Sequence, residues 1–223
     1  MEAFHNNPSI KEYYITRLNE HYKADEIIQG QYWENGKGCA VGCTIHSGDH
    51  NKYELELGIP TCLAYLQDTI FENVPNELAK EFPIQFLSAI KVGADLKNVS
   101  NLFMIWVLTD SKYGVIKYAD NKKIVQDIAD AFSRDMVNTV SVEEWEELRK
   151  NAAAAYSSAD YAASTSYYAA SAAAASTYYS YAYSAATTAY SAADCHSNLN
   201  KNTKSEYYIA ASNKLIELLK NSK

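Results

Sequence analysis

Apolar residues recur at helical spacing through most of the first 140 positions, and no period-two alternation persists over several segments. Ile10, Tyr14, Leu18 and Ile28 follow an Asn7–Pro8 start, with Asn7 as cap and Pro8 at the first helical position. This pattern predicts a first helix that stops near Gly30. A short element ends at Gly58, and Pro60 opens a helix to about Asn73 whose buried stripe is Leu63, Leu66, Ile70 and Phe71. "VPNELAKEFPIQFLSAI" predicts a further helix, interrupted near Pro83. The nearly apolar "NVSNLFMIWVLT", Asn98 to Thr109, predicts a central buried helix. A short strand pair is an alternative around "YGVIKYA". Lys122 to Val137 is amphipathic, with Ile124, Ile128, Ala131 and Phe132 on one face.

After Gly114 the chain contains neither glycine nor proline. Ser141 followed by Glu144 is a capping-box pattern. From there a long helix is predicted up to about "CHSNLNKNTKS", and a last amphipathic helix from Glu206 to Lys220 carries Tyr208, Ala211, Leu215, Ile216 and Leu219. Between Ala152 and Cys195 the tract repeats in elevens. Tyr156, Tyr167 and Tyr178 share one column, and Tyr168, Tyr179 and Tyr190 the next. Thr165, Ser176 and Thr187 share a third, beside Ser166, Thr177 and Thr188. Ala152, Ala163, Ala174 and Ala185 fill another. Eleven residues make about three turns, so each column runs almost straight along a helix. As one helix, residues 142–195 would span about 80 Å. Such a helix projects, or pairs through its small-residue face with the C-terminal helix or another chain. A hydroxyl ladder also suggests an ice-binding face, which the neighbouring tyrosines oppose. The predicted fold is therefore all-α: a helical globular domain over 1–140, then the Ala/Tyr-rich helix and the C-terminal helix over 141–223.

Composition narrows the function classes. A net charge of −7 over 223 residues argues against a basic nucleic-acid surface. The apolar run Leu102 to Leu108 is far shorter than the ~20 residues of a membrane span. "MEAFHNNPSIKEYY" shows no apolar signal region, and Cys39, Cys43, Cys62 and Cys195 read as reduced thiols, so a cytoplasmic setting is expected.

The chemistry concentrates in "GKGCAVGCTIHSGDH", Gly36 to His50, with four glycines, two cysteines and two histidines. Cys39, Cys43, His46 and His50 are metal-ligand types. On one continuous helix, however, Cys39 and His50 would stand about 16 Å apart, and the spacing is no standard finger. Cys39, after Gly38 at an expected helix start, predicts a thiol of lowered pKa, and Cys39 or Cys43 with His46 or His21 would make a nucleophile–base pair. The glycines with Lys37 also fit an anion cradle at a helix N-terminus, although no Walker frame is spelled. A tight helix junction fits the same residues without any ligand. Arg17, His21 and Asp25 at i, i+4 and i+8 form one polar line, either a solvated ladder or the wall of a pocket.

"IKEYYITRLNEHYKADEIIQGQYWENGKGCAVGCTIHSGDHNKYELELGIP", "LQDTIFENVP" and "IKVGADL", with the "KLIELL" terminus, resemble a family of uncharacterised proteins encoded by bacteria and their phages. The tract here is richer in tyrosine, serine and threonine than that family's charged-alanine style. The resemblance implies a bacterial cytoplasm, phage-infected or not, and supplies no reaction. The combined expectation is an anion- or nucleotide-binding protein that sequesters a host nucleotide signal in anti-defence. Its ligand would be held by Arg17, His21, Lys37, Gly38, Cys39 and Thr44, with no cofactor. The alternatives are an enzyme using Cys39, Cys43 and His46, with or without metal on Cys39, Cys43, His46 and His50, and a homo-oligomer built through the Ala/Tyr helix.

Overall fold

A computed structural model describes residues 2–157, 159, 161–178, 187–188, 191–194 and 201–223. Among the described residues the protein is mostly helical, with one small two-stranded sheet. Among the described residues no helix is long and apolar enough to cross a membrane. The chain divides into two compact units, one of residues 1–99 with 208–223 and one of residues 100–207. The contacts thus divide elsewhere than at residue 140.

In the first unit, α1 (Pro8–Lys23) begins as expected, with the Asn7 side chain accepting from the Ser9 N–H. It stops seven residues before Gly30: Asp25 takes a left-handed φ of 54° and turns the chain, so Ile28 is not on its stripe. The strands β1 (Trp33–Glu34) and β2 (Lys37–Gly38) then pair antiparallel. Asn35 and Gly36 both have positive φ at their junction, the conformation an Asn-Gly hairpin turn supplies most cheaply. The sheet therefore lies here. "YGVIKYA" instead contains a 3-10 turn, Val115–Tyr118.

Helix α2 (Ala40–Ile45) follows, with every residue buried, against α1, α4 (Thr61–Asn73) and α5 (Asn76–Ala89). The short α3 (Lys52–Leu57) ends, as its sequence predicts, at Gly58 in the left-handed region. α5 runs unbroken through Pro83, which is buried. The ring removes one helical N–H donor, and the packing of Phe82, Phe86 and Leu87 on the core holds the helix together across that gap. Leu18, Ile27, Tyr53, Leu57, Leu63, Leu66, Ile70 and Phe71 are fully or almost fully buried in this unit, each contributing about 1.5–3 kcal/mol.

The second unit takes in most of α6 (Val99–Thr109), α7 (Lys122–Asp135), α8 (Val142–Tyr156) and α9 (Tyr161–Tyr178). Phe103, Met104, Val107 and Leu108 bear out the buried helix predicted there, while Leu102 is exposed. Ser141 caps α8 by accepting from the Glu144 N–H at 3.2 Å. The single helix expected over 142–195 does not form. α8 ends at Tyr156, and α9 returns alongside it, with the Ser171 hydroxyl 3.5 Å from the Arg149 carbonyl and the Tyr156 and Tyr168 rings 5.9 Å apart.

The alanine column does what its small size allows. Ala152, Ala163 and Ala174 are all buried, and α8 and α9 pack closely. The tyrosine column splits. Tyr156 is 48% exposed, while Tyr167 is 2% exposed and its hydroxyl accepts from the Asn121 N–H at 2.7 Å. Ser166 and Thr188 are buried, so the hydroxyl ladder presents no continuous outer face there. Cys195, Tyr179, Tyr190 and Ala185 lie outside the described residues. The last helix, α10 (Lys201–Asn221), contributes residues 208–221 to the first unit, where Tyr208, Ala211, Leu215 and Leu219 are buried.

Candidate functional site

The site residues gather at the two ends of the buried α2. The hairpin before it explains the glycines. A Cβ on Gly38 would stand 2.1 Å from the Tyr32 carbonyl oxygen, and one on Gly42 would stand 1.5 Å from the same atom. Both glycines exist to admit the Tyr32 backbone. The N–H groups expected to cradle an anion are spent inside the protein. Gly38 donates to the Glu26 carbonyl at 3.0 Å, Cys39 to the Gln31 carbonyl at 2.6 Å, and Gly42 to the Cys39 sulfur at 3.4 Å. With only six residues, α2 also carries little dipole. The tight-junction reading of this segment therefore describes it.

The thiols do not behave as the sequence predicts. Cys39 caps α2, yet its pKa is raised, first by burial and then by the Asp68 carboxylate beside it; the Gly42 and Val41 amides oppose this and lose. Burial pushes the Cys43 thiol up to about 12, and its Sγ donates to the Gly38 carbonyl at 3.2 Å. Both cysteines have no exposed surface. Desolvation here outweighs the terminus of a short helix.

At the C-terminal end of α2, His46 takes a left-handed φ of 51° and projects onto α1. Its Nε2 lies 2.8 Å from His21 Nε2, and its ring stacks on Trp33 at 4.3 Å and 8°. His21 Nδ1–H donates to Glu26 Oε2 at 2.6 Å. With both rings neutral, that bond leaves His21 Nε2 as acceptor and assigns the shared proton to His46 Nε2. Arg17 lies next to the pair. Its Nη1 donates to the Thr44 carbonyl at 2.8 Å and its Nη2 to the Tyr13 hydroxyl, while its guanidinium covers the Tyr13 and Tyr14 rings at 4.6 and 5.2 Å. Burial, Arg17 and His21 together lower the His46 pKa, against Glu26 and Glu56.

Of the residues expected to bind a ligand, the fold thus brings together Arg17, His21 and the Thr44 backbone. The Thr44 hydroxyl is buried and donates to the Ala40 carbonyl at 2.7 Å. Lys37 is exposed on β2, and Asp25 leaves the polar line to pair with Lys80. The four metal-type residues do not converge, because His46 meets His21 while His50 is buried elsewhere, stacked on Tyr65 at 4.0 Å with its Nε2 3.3 Å from Asp68 Oδ2. Sequence reasoning missed Glu26, Trp33, Asp68 and Glu72. Only the i, i+4 spacing of Asp68 and Glu72 on α4 signalled a shared face.

Compared with known protein families, with curated proteins and with solved structures, the chain matches none.

Proposed function

We propose that this chain binds a small anionic ligand on the face formed by Arg17, His21 and His46, with Trp33 as its aromatic side. The observation that carries the reading is the imidazole pair, its two Nε2 atoms 2.8 Å apart, one ring fixed by Glu26 and the other laid on Trp33. Rings held this way lose little freedom when an oxyanion binds, and protonation of His46 adds an Nδ1–H donor for it. The Arg17 fork has donors beyond the two bonds it makes, and burial first, then the Arg17 charge and His21, disfavour a proton on His46. An anion relieves that repulsion, and the tryptophan favours a ligand that carries a ring beside its phosphate. In the bacterial or phage setting that the sequence resemblance implies, the role served is sequestration of a nucleotide signal.

Titration calorimetry of the full chain with cyclic AMP, ADP-ribose and inorganic phosphate tests this. Binding by at least one nucleotide is expected, weakened about tenfold or more in Arg17→Lys and in His46→Gln, the scale of one charge-assisted hydrogen bond. Absence of heat with every probe at high micromolar concentration overturns it.

A further inference from the structure

The other end of α2 carries a second, separate constellation. Cys39 Sγ, a carboxylate oxygen of Asp68 and one of Glu72 lie within 4.8 Å of one another. They come from the cap of α2 and from two positions one turn apart on α4. Asp68 and Glu72 line a cleft of about 220 Å³ with Gly30, Gln31 and Tyr32. His50 engages Asp68 Oδ2 at 3.3 Å, and Asp68 Oδ1 is buried with no hydrogen-bond partner among the described residues, in a residue only 9% exposed. A buried carboxylate oxygen left without a strong donor is costly; the group facing Asp68 is the Cys39 thiol, a weak donor, and a cation between the two would serve that oxygen better. Glu72 Oε2 accepts from the Gly30 N–H at 2.7 Å, which fixes that carboxylate at the cleft wall.

We propose that Cys39, Asp68 and Glu72 form a binding site for a divalent transition-metal ion of the zinc class, with His50 holding Asp68 in place. One sulfur and two carboxylates suit a borderline ion, whereas magnesium and calcium favour oxygen alone. Three protein ligands leave a fourth tetrahedral position open toward the cleft, the arrangement of sites that keep a bound water. The His50–Asp68 contact supplies the outer-shell orientation such ligands need. The Gly42 N–H, already directed at Cys39 Sγ, stabilises the thiolate once formed. Binding replaces the S–H bond with a metal–sulfur bond and releases that proton to solvent. Nothing is oxidised or reduced. Arg17, His21 and His46 take no part, so this site and the anion face stand or fall independently.

The test is titration of the chelator-treated full chain with Co²⁺. One equivalent is expected to produce tetrahedral ligand-field bands and a thiolate-to-cobalt charge-transfer band, both removed by Zn²⁺. Cys39→Ser abolishes the charge-transfer band, and Cys43→Ala keeps it. Glu72→Gln and Asp68→Asn each weaken Co²⁺ affinity tenfold or more, with folding checked by near-ultraviolet circular dichroism, and they serve if Cys39→Ser does not fold. No charge-transfer band in the unmutated chain, a band that survives in folded Cys39→Ser, or unchanged affinity in both carboxylate variants overturns the proposal.

Discussion

Gly42 and Tyr32 are locked backbone to backbone: a methyl group at Gly42 would occupy the position of the Tyr32 carbonyl oxygen, 1.5 Å away. Gly42→Ala must push the hairpin off α2, and Gly38→Ala, at 2.1 Å, must do the same. Overpacking against backbone costs about 1–3 kcal/mol or more. Urea denaturation is expected to show both variants destabilised at least to that extent. Gly36→Asn is the contrast, since nothing stands within 4 Å of that position and asparagine tolerates its positive φ; its cost should be under about 1 kcal/mol. Equal losses at all three positions would show that the close approach is not what the glycines serve.

The His46 pair makes stability depend on pH. Burial, Arg17 and His21 hold its folded pKa below the usual histidine value, with Glu26 and Glu56 opposing. The unfolded chain therefore binds the proton more readily, and stability rises with pH across the window between the lowered pKa and about 6.5. His46's contribution is complete above that window and lost as the pH falls through it. His46→Gln is expected to flatten the acid side of a plot of denaturation midpoint against pH. An acid limb of the same slope in the variant would assign the effect to other groups.

Ligand binding has the opposite sign. A bound anion favours protonated His46, so affinity for the nucleotide probe should strengthen as the pH drops below about 6.5. Calorimetry at several pH values, with Arg17→Lys as control, checks it. Constant affinity across the histidine range would remove His46 from the site.

Cys39 and Cys43 are buried, with thiols that ionise far above neutral pH, whereas Cys62 is partly exposed. In a Cys195→Ser background, a thiol reagent at pH 8 should label Cys62 first. Cys39 and Cys43 should react only as the fold opens. Rapid native labelling of Cys39 would instead mark it as an accessible, ionised nucleophile.

In the second unit, Tyr167 and Tyr168 are neighbours with opposite duties. Tyr167→Phe removes the acceptor for the Asn121 N–H in a buried position and should cost about 1–2 kcal/mol. Tyr168, 48% exposed, should tolerate alanine within about 0.5–1 kcal/mol, the loss confined to its contact with Tyr156. Thermal unfolding distinguishes the two. A larger loss at Tyr168 would contradict the burial pattern.

Much of the fold is legible in the sequence because its causes are local. Asn7, Ser141 and Gly58 cap or stop helices through bonds to residues two to five positions away, and the apolar stripes of α4 and α7 repeat with the helical turn. The alanine column announces close helix packing for the same reason. What the column cannot show is its partner. α9 folds back on α8, and the alanines that both helices bury, Ala152, Ala163 and Ala174, let them pack closely. The site is even less local. Cys39's neighbour Asp68, His21's neighbour His46 and the carbonyl that excludes a side chain at Gly38 and Gly42 all lie well away along the chain. The sign of Cys39's pKa shift depends on how much water those neighbours remove. Local sequence determined where the helices and thiols stand; tertiary packing decided which groups meet, and therefore whether each is charged.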